Sequence, residues 1–319
     1  MDFRELVYIT VVADCKSVTA AAKKLYISQP SLSQIISKVE NDLGVKLFDR
    51  AAYPITLTYA GEKYVETARR ILMMKDNLRR ELTDIGSGVR GKITVGIPVE
   101  RAGYMLPATL KEFRQVYPGV EVRTQEAKAV TLLESLKKGE TNLVILPKSE
   151  EGLDPDMEEE LIYREELLFV AGPDVVTPQM CVVGDPGAVD VDQVARLPII
   201  VLKKGHAIRK AVDHLFKERG ITPNVVMETT SCINAVQLAD SGYGVTIVPE
   251  RAVEIFGGRR AFNCYRLGGT SYAWDVNVIY LRDSYLDGAQ RYLIEVMKKI
   301  FSKRGGEPGE EPQSQELQG

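Results

Sequence analysis

Histidine and cysteine are both scarce in this chain, and each shortage excludes some chemistry. The 319 residues include two histidines, His206 and His214, and four cysteines, Cys15, Cys181, Cys232 and Cys264. No two cysteines stand at C-x-x-C spacing, so neither a zinc site nor a disulfide framework is indicated, and all four read as small buried hydrophobes. The histidines flank one helical pattern with no metal-ligand spacing near it, and P-loop and G-x-S-x-G patterns are absent. No catalytic constellation is therefore expected, and with it no enzyme, metal or cofactor. No apolar run approaches the roughly 18 residues of a membrane span, and the start "MDFRELVYIT" lacks the basic region and cleavage site of a secretory signal. A cytoplasmic protein that does not enter a membrane is expected. Strong positive charge is missing as well: 41 basic against 44 acidic residues leave a net charge of −3, which excludes a histone-like, sequence-blind nucleic-acid binder. Local field is what a DNA contact needs, and the acidic residues cluster elsewhere, in "SEEGLDPDMEEE" and in the Gly- and Glu-rich residues 304–319, which read as a disordered tail. With 45% hydrophobic content, the chain is long enough for two or three compact units.

What is present starts with "VTAAAKKLYISQPSLSQIISKVENDLGVKLFDR", residues 18 to 50. At about 100° per residue, Leu32, Ile35, Ile36, Val39 and Leu43 fall on one helical face. The opposite face holds Pro30, Ser33, Gln34, Ser37, Lys38 and Asn41, hydrogen-bonding groups with one formal charge among them. Ser28 stands where an N-cap belongs, Pro30 lies in the first turn, and Gly44 can close the helix in a left-handed conformation. Ala20, Ala21 and Ala22 are small enough for a second helix to cross closely, and only a few residues separate the two patterns. This is a helix-turn-helix, whose second helix can lie in the DNA major groove, where Gln pairs bidentately with adenine and Ser serves several bases. A plain helical hairpin is the alternative. The extended, Pro-containing "DRAAYPITLTYAG" that follows reads as a wing, with Arg50 placed for phosphate or the minor groove, or else a solvated arginine at a loop edge.

The runs "FRELVYITVVADCKSVTAAAKKLYISQPSLSQIISKVENDLGVKLFDR" and "LTYAGEKYVETARRIL" resemble the winged helix-turn-helix of LysR-type transcriptional regulators. The resemblance implies a domain over residues 1–58 that binds double-stranded promoter DNA through Thr19, Ser28, Gln29, Pro30, Ser31, Ser33, Gln34, Ser37, Lys38, Arg50 and Pro54. The wing "AAYPIT" lacks the extra basic residues that many relatives carry. Past it, Tyr64, Ala68, Ile71, Lys75, Leu78, Leu82 and Ile85 are spaced alternately four and three apart, a heptad seam interrupted by one lysine. Such a helix either pairs with a second copy or packs as a single amphipathic helix with Lys75 reaching outward. The resemblance makes residues 59–88 a linker helix that dimerises the regulator as a homodimer or homotetramer. The G-x-G-x-x-G match "GSGVRG", residues 86–91, is not a dinucleotide fingerprint, because a helix precedes it and a strand follows; a hinge is expected there.

From Lys92 onward strands and helices alternate. "KITVGI", "MLPATLKEFRQVY", "VEVRTQ", "VTLLESLKKG" and "NLVIL" make one βαβαβ set. "IIVL", "IRKAVDHLFKERG", "NVVMETT", "CINAVQLADSGYG" and "VTIVPE" make a second, and "AWDVNVIYL" with "AQRYLIEVMKKIF" returns to the first. Two α/β lobes joined by two crossing strands form a clamp around a cleft. Pro107 to Val120 and Thr229 to Pro249 resemble the LysR-type effector domain, whose fold is similar to periplasmic binding proteins. On that reading residues 89–303 are the effector-binding domain, lobe I about 92–164 and 269–303 and lobe II about 165–268. The cleft is lined by loops after strands: Pro98, Val99, Glu100 and Arg101; Lys128 and Ala129; Lys203 and His206; Thr229, Thr230 and Ser231; Val248 and Pro249. Helix N-termini there favour anions, and Arg101, Lys128, Lys203 and His206 add positive charge. The Thr229–Ser231 hydroxyls hold a polar ligand group, cap the helix, or do both. Where relatives often use Ser or Thr to hold a ligand carboxylate, this chain has Glu100 and Arg101.

A solute-binding protein accounts for the lobes but not for the N-terminal helices, and an enzyme lacks its machinery. A ligand-responsive regulator accounts for every segment. The resemblance implies that it meets RNA polymerase at the promoter and answers to a polar or anionic metabolite.

Overall fold

The computed structural model describes residues 2–49, 54–85, 91–149, 152–256, 262–268 and 273–302, without the side chains of residues 80, 81 and 83–85. Arg50, most of the "GSGVRG" segment and the tail at 304–319 thus lie outside the described residues, as does the side chain of Ile85.

Three helices open the chain: α1 (Phe3–Cys15), α2 (Val18–Lys24) and α3 (Gln29–Leu43). Each starts at a residue whose side chain accepts a first-turn N–H: Asp2 from Glu5, Ser17 from Ala20, Ser28 from Ser31. Gly44, at φ 70°, ends α3. The short strands β1 (Phe48–Asp49) and β2 (Thr56–Leu57) pair antiparallel as the wing, and α4 (Tyr59–Ile85) follows. Ile9, Val12, Ala21, Ala22, Leu32, Ile36, Val39, Leu47, Phe48 and Val65 share one core. Ala21 and Ala22 are the close-crossing pair, whereas Ala20 is exposed. Leu43, assigned by periodicity to the apolar face, is 44% exposed, because it is the last residue before the chain turns away.

Glu40, 2% exposed, ties α3 to the wing by accepting from the backbone N–H groups of Leu47 and Phe48 and from Lys46 Nζ. Burial raises its pKa, but these partners together outweigh burial and hold it below the ordinary value. A Cβ on Gly61 would stand 1.9 Å from the carbonyl oxygen of Leu47, so only glycine lets α4 start this close to the wing.

The remaining elements are β3 (Gly91–Ile97), α5 (Val99–Val116), β4 (Val120–Glu126), α6 (Ala129–Lys137), β5 (Leu143–Pro147), β6 (Met157–Ala171), β7 (Cys181–Val182), β8 (Asp185–Val189), α7 (Val191–Val194), β9 (Ile199–Leu202), α8 (Ala207–Glu218), β10 (Val225–Thr229), α9 (Cys232–Asp240), β11 (Val245–Pro249), α10 (Glu250–Glu254), β12 (Asn263–Leu267), β13 (Ala273–Leu281) and α11 (Gly288–Phe301). Strand order is β10-β9-β11-β6-β13-β5-β3-β4, with β12, β8 and β7 off that path. Both βαβαβ sets are parallel, β5-β3-β4 in one lobe and β11-β9-β10 in the other. The 15-residue β6 serves both: its first part pairs with β13 and its end with β11 and β12. Separate cores, around Ile97, Met105 and Ile294 and around Phe169, Val201 and Leu215, lie in the two lobes.

One element begins earlier than its sequence pattern suggests. The helix read from Met105 starts at Val99 and keeps Pro107, exposed, in its interior. The missing N–H at Pro107 resembles a helix start, but Pro98, in extended conformation, is the N-cap. The segment "PVERAG" is therefore the opening of α5 rather than a loop. No helix of the described residues is long and apolar enough to cross a membrane.

Candidate functional site

Two polar surfaces emerge from this fold, one on α3 and one between the lobes. On α3, burial of Leu32, Ile36 and Val39 turns the opposite face outward. Ser33, Gln34, Ser37, Lys38, Asn41 and Asp42 line an open surface depression there. At the N-terminus of α3, Ser28, Gln29, Pro30 and Ser31 are exposed; the Ser28 and Ser31 hydroxyls lie 2.7 Å apart, and Gln29 Nε2 donates to Ser33 Oγ at 3.0 Å. Gln34 is exposed, as are Thr19 in α2 and Pro54 before β2. Lys38 differs from its sequence reading as a plain contact, since Glu5 of α1 already pairs with it at 3.0 Å. The hydrogen bond and charge of Glu5 raise the Lys38 pKa, and Lys38 lowers that of Glu5.

The heptad seam of α4 divides. Ala68 is buried and Tyr64 and Ile71 are half-buried, Tyr64 against the three-helix core, so this end serves its own chain. Lys75 lies with its ammonium 4.8 Å from the centroid of the Phe3 ring. Beyond it the seam is bare: Leu78 is 57% and Leu82 59% exposed, beside Met74 at 66%.

Between the lobes, helices begin where strands end: α5 after β3, α6 after β4, α8 after β9, α9 after β10 and α10 after β11. Their N-caps are Pro98, Lys128, His206, Ser231 and Pro249, and of these only Ser231 supplies a side-chain cap, accepting from Asn234 N at 3.3 Å. The other four leave the first-turn amides without a side-chain cap. Lys128, Ala129, Lys203, Thr230 and Val99 are exposed, while Val248 and Pro249 are buried beneath the rim. Thr229, 7% exposed, accepts at Oγ1 from Ser231 N and Asn234 Nδ2, which gives it an organising role in the α9 start. His206 is half-buried, and burial, reinforced by Lys128 and opposed by Glu100, holds its pKa below the ordinary value. Glu100 reaches across the lobes: its Oε2 accepts the Cys232 N–H of α9 at 3.0 Å.

Arg101 is the one sequence-assigned cleft cation that the fold removes from solvent. Its side chain is 6% exposed and pairs with Glu165 at 3.1 Å, donating also to Tyr163 Oη at 2.5 Å. Glu165, fully buried on β6, accepts further from Trp274 Nε1 at 2.9 Å and from Tyr104 and Tyr163. Arg101 thus spends its charge at the crossing of β6 and β13 between the lobes, the interlobe hinge, and burial pushes the Tyr104 and Tyr163 hydroxyls up in pKa. Glu165, Tyr163, Tyr104 and Trp274 escaped the sequence reading, because the acidic run on β6 looks like a solvated surface and its partners are distant in sequence. Cys232 is buried as its sequence reading expects, 1% exposed, but its place beside Glu100 was not foreseen; its thiol is pushed up by burial, then by Glu100, which keeps it protonated and unreactive. At the rim, burial, joined by Glu254, Glu166 and Glu165 against Arg251, raises Glu250. No metal-sized group of His, Cys, Asp and Glu occurs among the described residues.

Both parts of the chain match known families. Residues 3–62 match the family described as bacterial regulatory helix-turn-helix protein, lysR family, and residues 86–302 match the LysR substrate binding domain. The chain is 35% identical over 259 residues to the uncharacterized HTH-type transcriptional regulator YcgK of Bacillus subtilis (strain 168), spanning 78% of this chain and 80% of that one. Among solved structures, a full-length OxyR variant from Pseudomonas aeruginosa shares the fold with a TM-score of 0.70 at 22% identity, over 94% of each chain. Full-length CbnR complexed with its target DNA shares it with a TM-score of 0.58 at 23% identity, over 94% of this chain and 99% of that one.

Proposed function

The chain belongs to the LysR family of transcriptional regulators, and we propose that it reads promoter DNA through the polar face of α3 while a small polar or anionic effector, bound between the lobes, changes transcription. Residues 1–58 are then the DNA-binding unit, 59–88 the linker and 89–303 the effector domain, with lobe I at about 92–164 and 269–303 and lobe II at about 165–268. The carrying observation is the convergence of uncapped helix starts at α5, α6 and α8 on the cleft, since unpaired amides and aligned dipoles there attract negative charge. Lys128 and Lys203 stand at those starts, and Gln34, Ser33 and Gln29 supply the donors and acceptors that base edges require. The bare Met74, Leu78 and Leu82 of α4 suit a second copy, and a homodimer or tetramer of this kind presents two reading helices to the two half-sites of an operator at which RNA polymerase is regulated.

The test is operator binding by the purified full-length protein, using fragments from around its own gene, with and without a panel of carboxylate and other polar metabolites. Sequence-specific binding that one metabolite shifts by about 1–3 kcal/mol is expected. Binding without sequence preference would refute the DNA reading. Operator binding indifferent to every metabolite would refute the effector reading.

A further inference from the structure

Glu100 and Arg101 are neighbours on the first turn of α5 but belong to different parts of the molecule. Arg101 turns into the hinge and pairs with Glu165. Glu100 turns toward the other lobe, where its carboxylate meets the start of α9. That helix has two first-turn amides accounted for from opposite sides: Asn234 N donates to the hydroxyl of Ser231 within the same helix, and Cys232 N donates to Glu100, 132 residues away in sequence. The Cys232 thiol lies against the same carboxylate, and burial, then this carboxylate, favours its protonated form. A carboxylate on helix-terminal N–H groups is the arrangement in which a bound anionic ligand is stabilised, through charge-assisted hydrogen bonds and the helix dipole together. Here the protein's own side chain fills it. Because the donor is on α9 and the acceptor on α5, the contact also ties one lobe to the other.

We propose that Glu100 is a built-in occupant of the α9 amide site, an interlobe latch that a carboxylate-bearing effector must displace. This deepens, and rests on, the reading of the cleft as an effector site. The latch sets the chemistry of the ligand that works it. A neutral or cationic molecule can enter and leave Glu100 in place, whereas a carboxylate competes for the same N–H and, on winning it, releases α5 from α9. The positive charge of Lys128 and the imidazole of His206, which is within electrostatic reach of both Lys128 and Glu100, give the displaced Glu100 positive or hydrogen-bonding neighbours, so its expulsion does not strand it.

The test uses the full-length protein and acetate as the probe. Amide hydrogen exchange of the peptide that holds Cys232 is measured for the native chain, Glu100→Ala and the near-isosteric Glu100→Gln. Removing a charge-assisted hydrogen bond should speed that exchange on the order of 10- to 100-fold in Glu100→Ala, with Glu100→Gln in between, and leave the β3 and β9 cores protected as before. Acetate at high concentration should then restore protection in Glu100→Ala, taking the place of the missing side chain, and leave the native chain unchanged, with chloride at equal ionic strength as control. Unaltered exchange in Glu100→Ala, or acetate protection equal in the native chain and the variant, would overturn the latch. These readouts involve no DNA, so they separate from the operator test: metabolite-independent operator binding would sink the effector reading while leaving the amide occupancy measured here intact.

Discussion

The reading face of α3 and the cleft between the lobes are both polar, yet their side chains are partnered in opposite ways. At the start of α3 the pairs are local, Gln29 with Ser33 and Ser28 with Ser31, and they lie in solvent, while farther along the face Lys38 reaches Glu5 of α1. In the cleft and hinge the pairs join residues 62 to 132 positions apart, Arg101 with Tyr163 and Glu100 with Cys232, and the hinge pairs are buried. An exposed, locally paired face can exchange its hydrogen bonds for those of a base at little cost. A buried, distantly paired network holds geometry, and any rearrangement of it moves whole lobes. On the function proposed above, the difference suits one region to recognition and the other to switching.

The largest expected effect comes from attacking the buried side. Glu165→Gln leaves Arg101 inside the hinge without its counter-charge and should destabilise the lobes by about 3–5 kcal/mol. Urea unfolding followed by the fluorescence of Trp274, the only tryptophan, reads it directly. A cost under about 1 kcal/mol would mean that the hinge does not depend on this pair. Next, Leu78→Glu with Leu82→Glu places like charges on the bare half of α4. Sedimentation should show a monomer, and operator affinity should fall on the order of 10²- to 10⁴-fold as bivalency is lost. A dimer that persists would move the principal interface away from α4.

A smaller effect sharpens the contrast through pH. Glu160 of β6 is raised by burial, but Tyr280, Lys298 and Arg291 outweigh this and hold it down at about 2. A depressed carboxyl stabilises the fold above its unfolded pKa, so this contribution is complete above about pH 4.5 and disappears as the pH falls toward 2. Unfolding free energies at pH 6 and pH 3 should differ less in Glu160→Gln than in the native chain, by about 1 kcal/mol once partial solvent screening is included. On the exposed side, Gln34→Ala should cost about 1–3 kcal/mol against the preferred base at one position of each half-site and leave folding stability unchanged. An unaltered base-by-base profile would take Gln34 out of the groove.

The same contrast governs what could be read from sequence. The helix-turn-helix was legible because its signals are local: Ser28, Pro30 and Gly44 mark the ends of α3, and Leu32, Ile36 and Val39 repeat at the helical period. The alternation of strands and helices was legible for the same reason. The first turn of α5 was hidden because Pro107 looks like a helix start and Pro98 like part of a loop. The partner of Arg101 was hidden because nothing near residue 101 points to residue 165. The two halves of the α4 seam share one spacing, and only the packing of Tyr64 and Ala68 on their own domain separates them from Leu78 and Leu82.

The long strand β6 carries a consequence for how the protein is made. Its first part pairs with β13, from Leu281 opposite Met157 to Ala273 opposite Glu166 with a bulge at Ile162, and every strand of the second lobe's parallel set lies in the chain between those partners. During synthesis the ribosome therefore delivers β3, β4, β5 and β6 well before the strand that joins β5 to β6 in their sheet. The second lobe can close while the first waits with an unfilled gap and an open edge. Completion of the first lobe depends on a long-range closure, the slow kind, so the late-emerging segment, β13 with α11, acts as the key that commits the molecule to its native state. Truncation between β12 and Ala273 should leave a finished second lobe attached to an aggregation-prone first one.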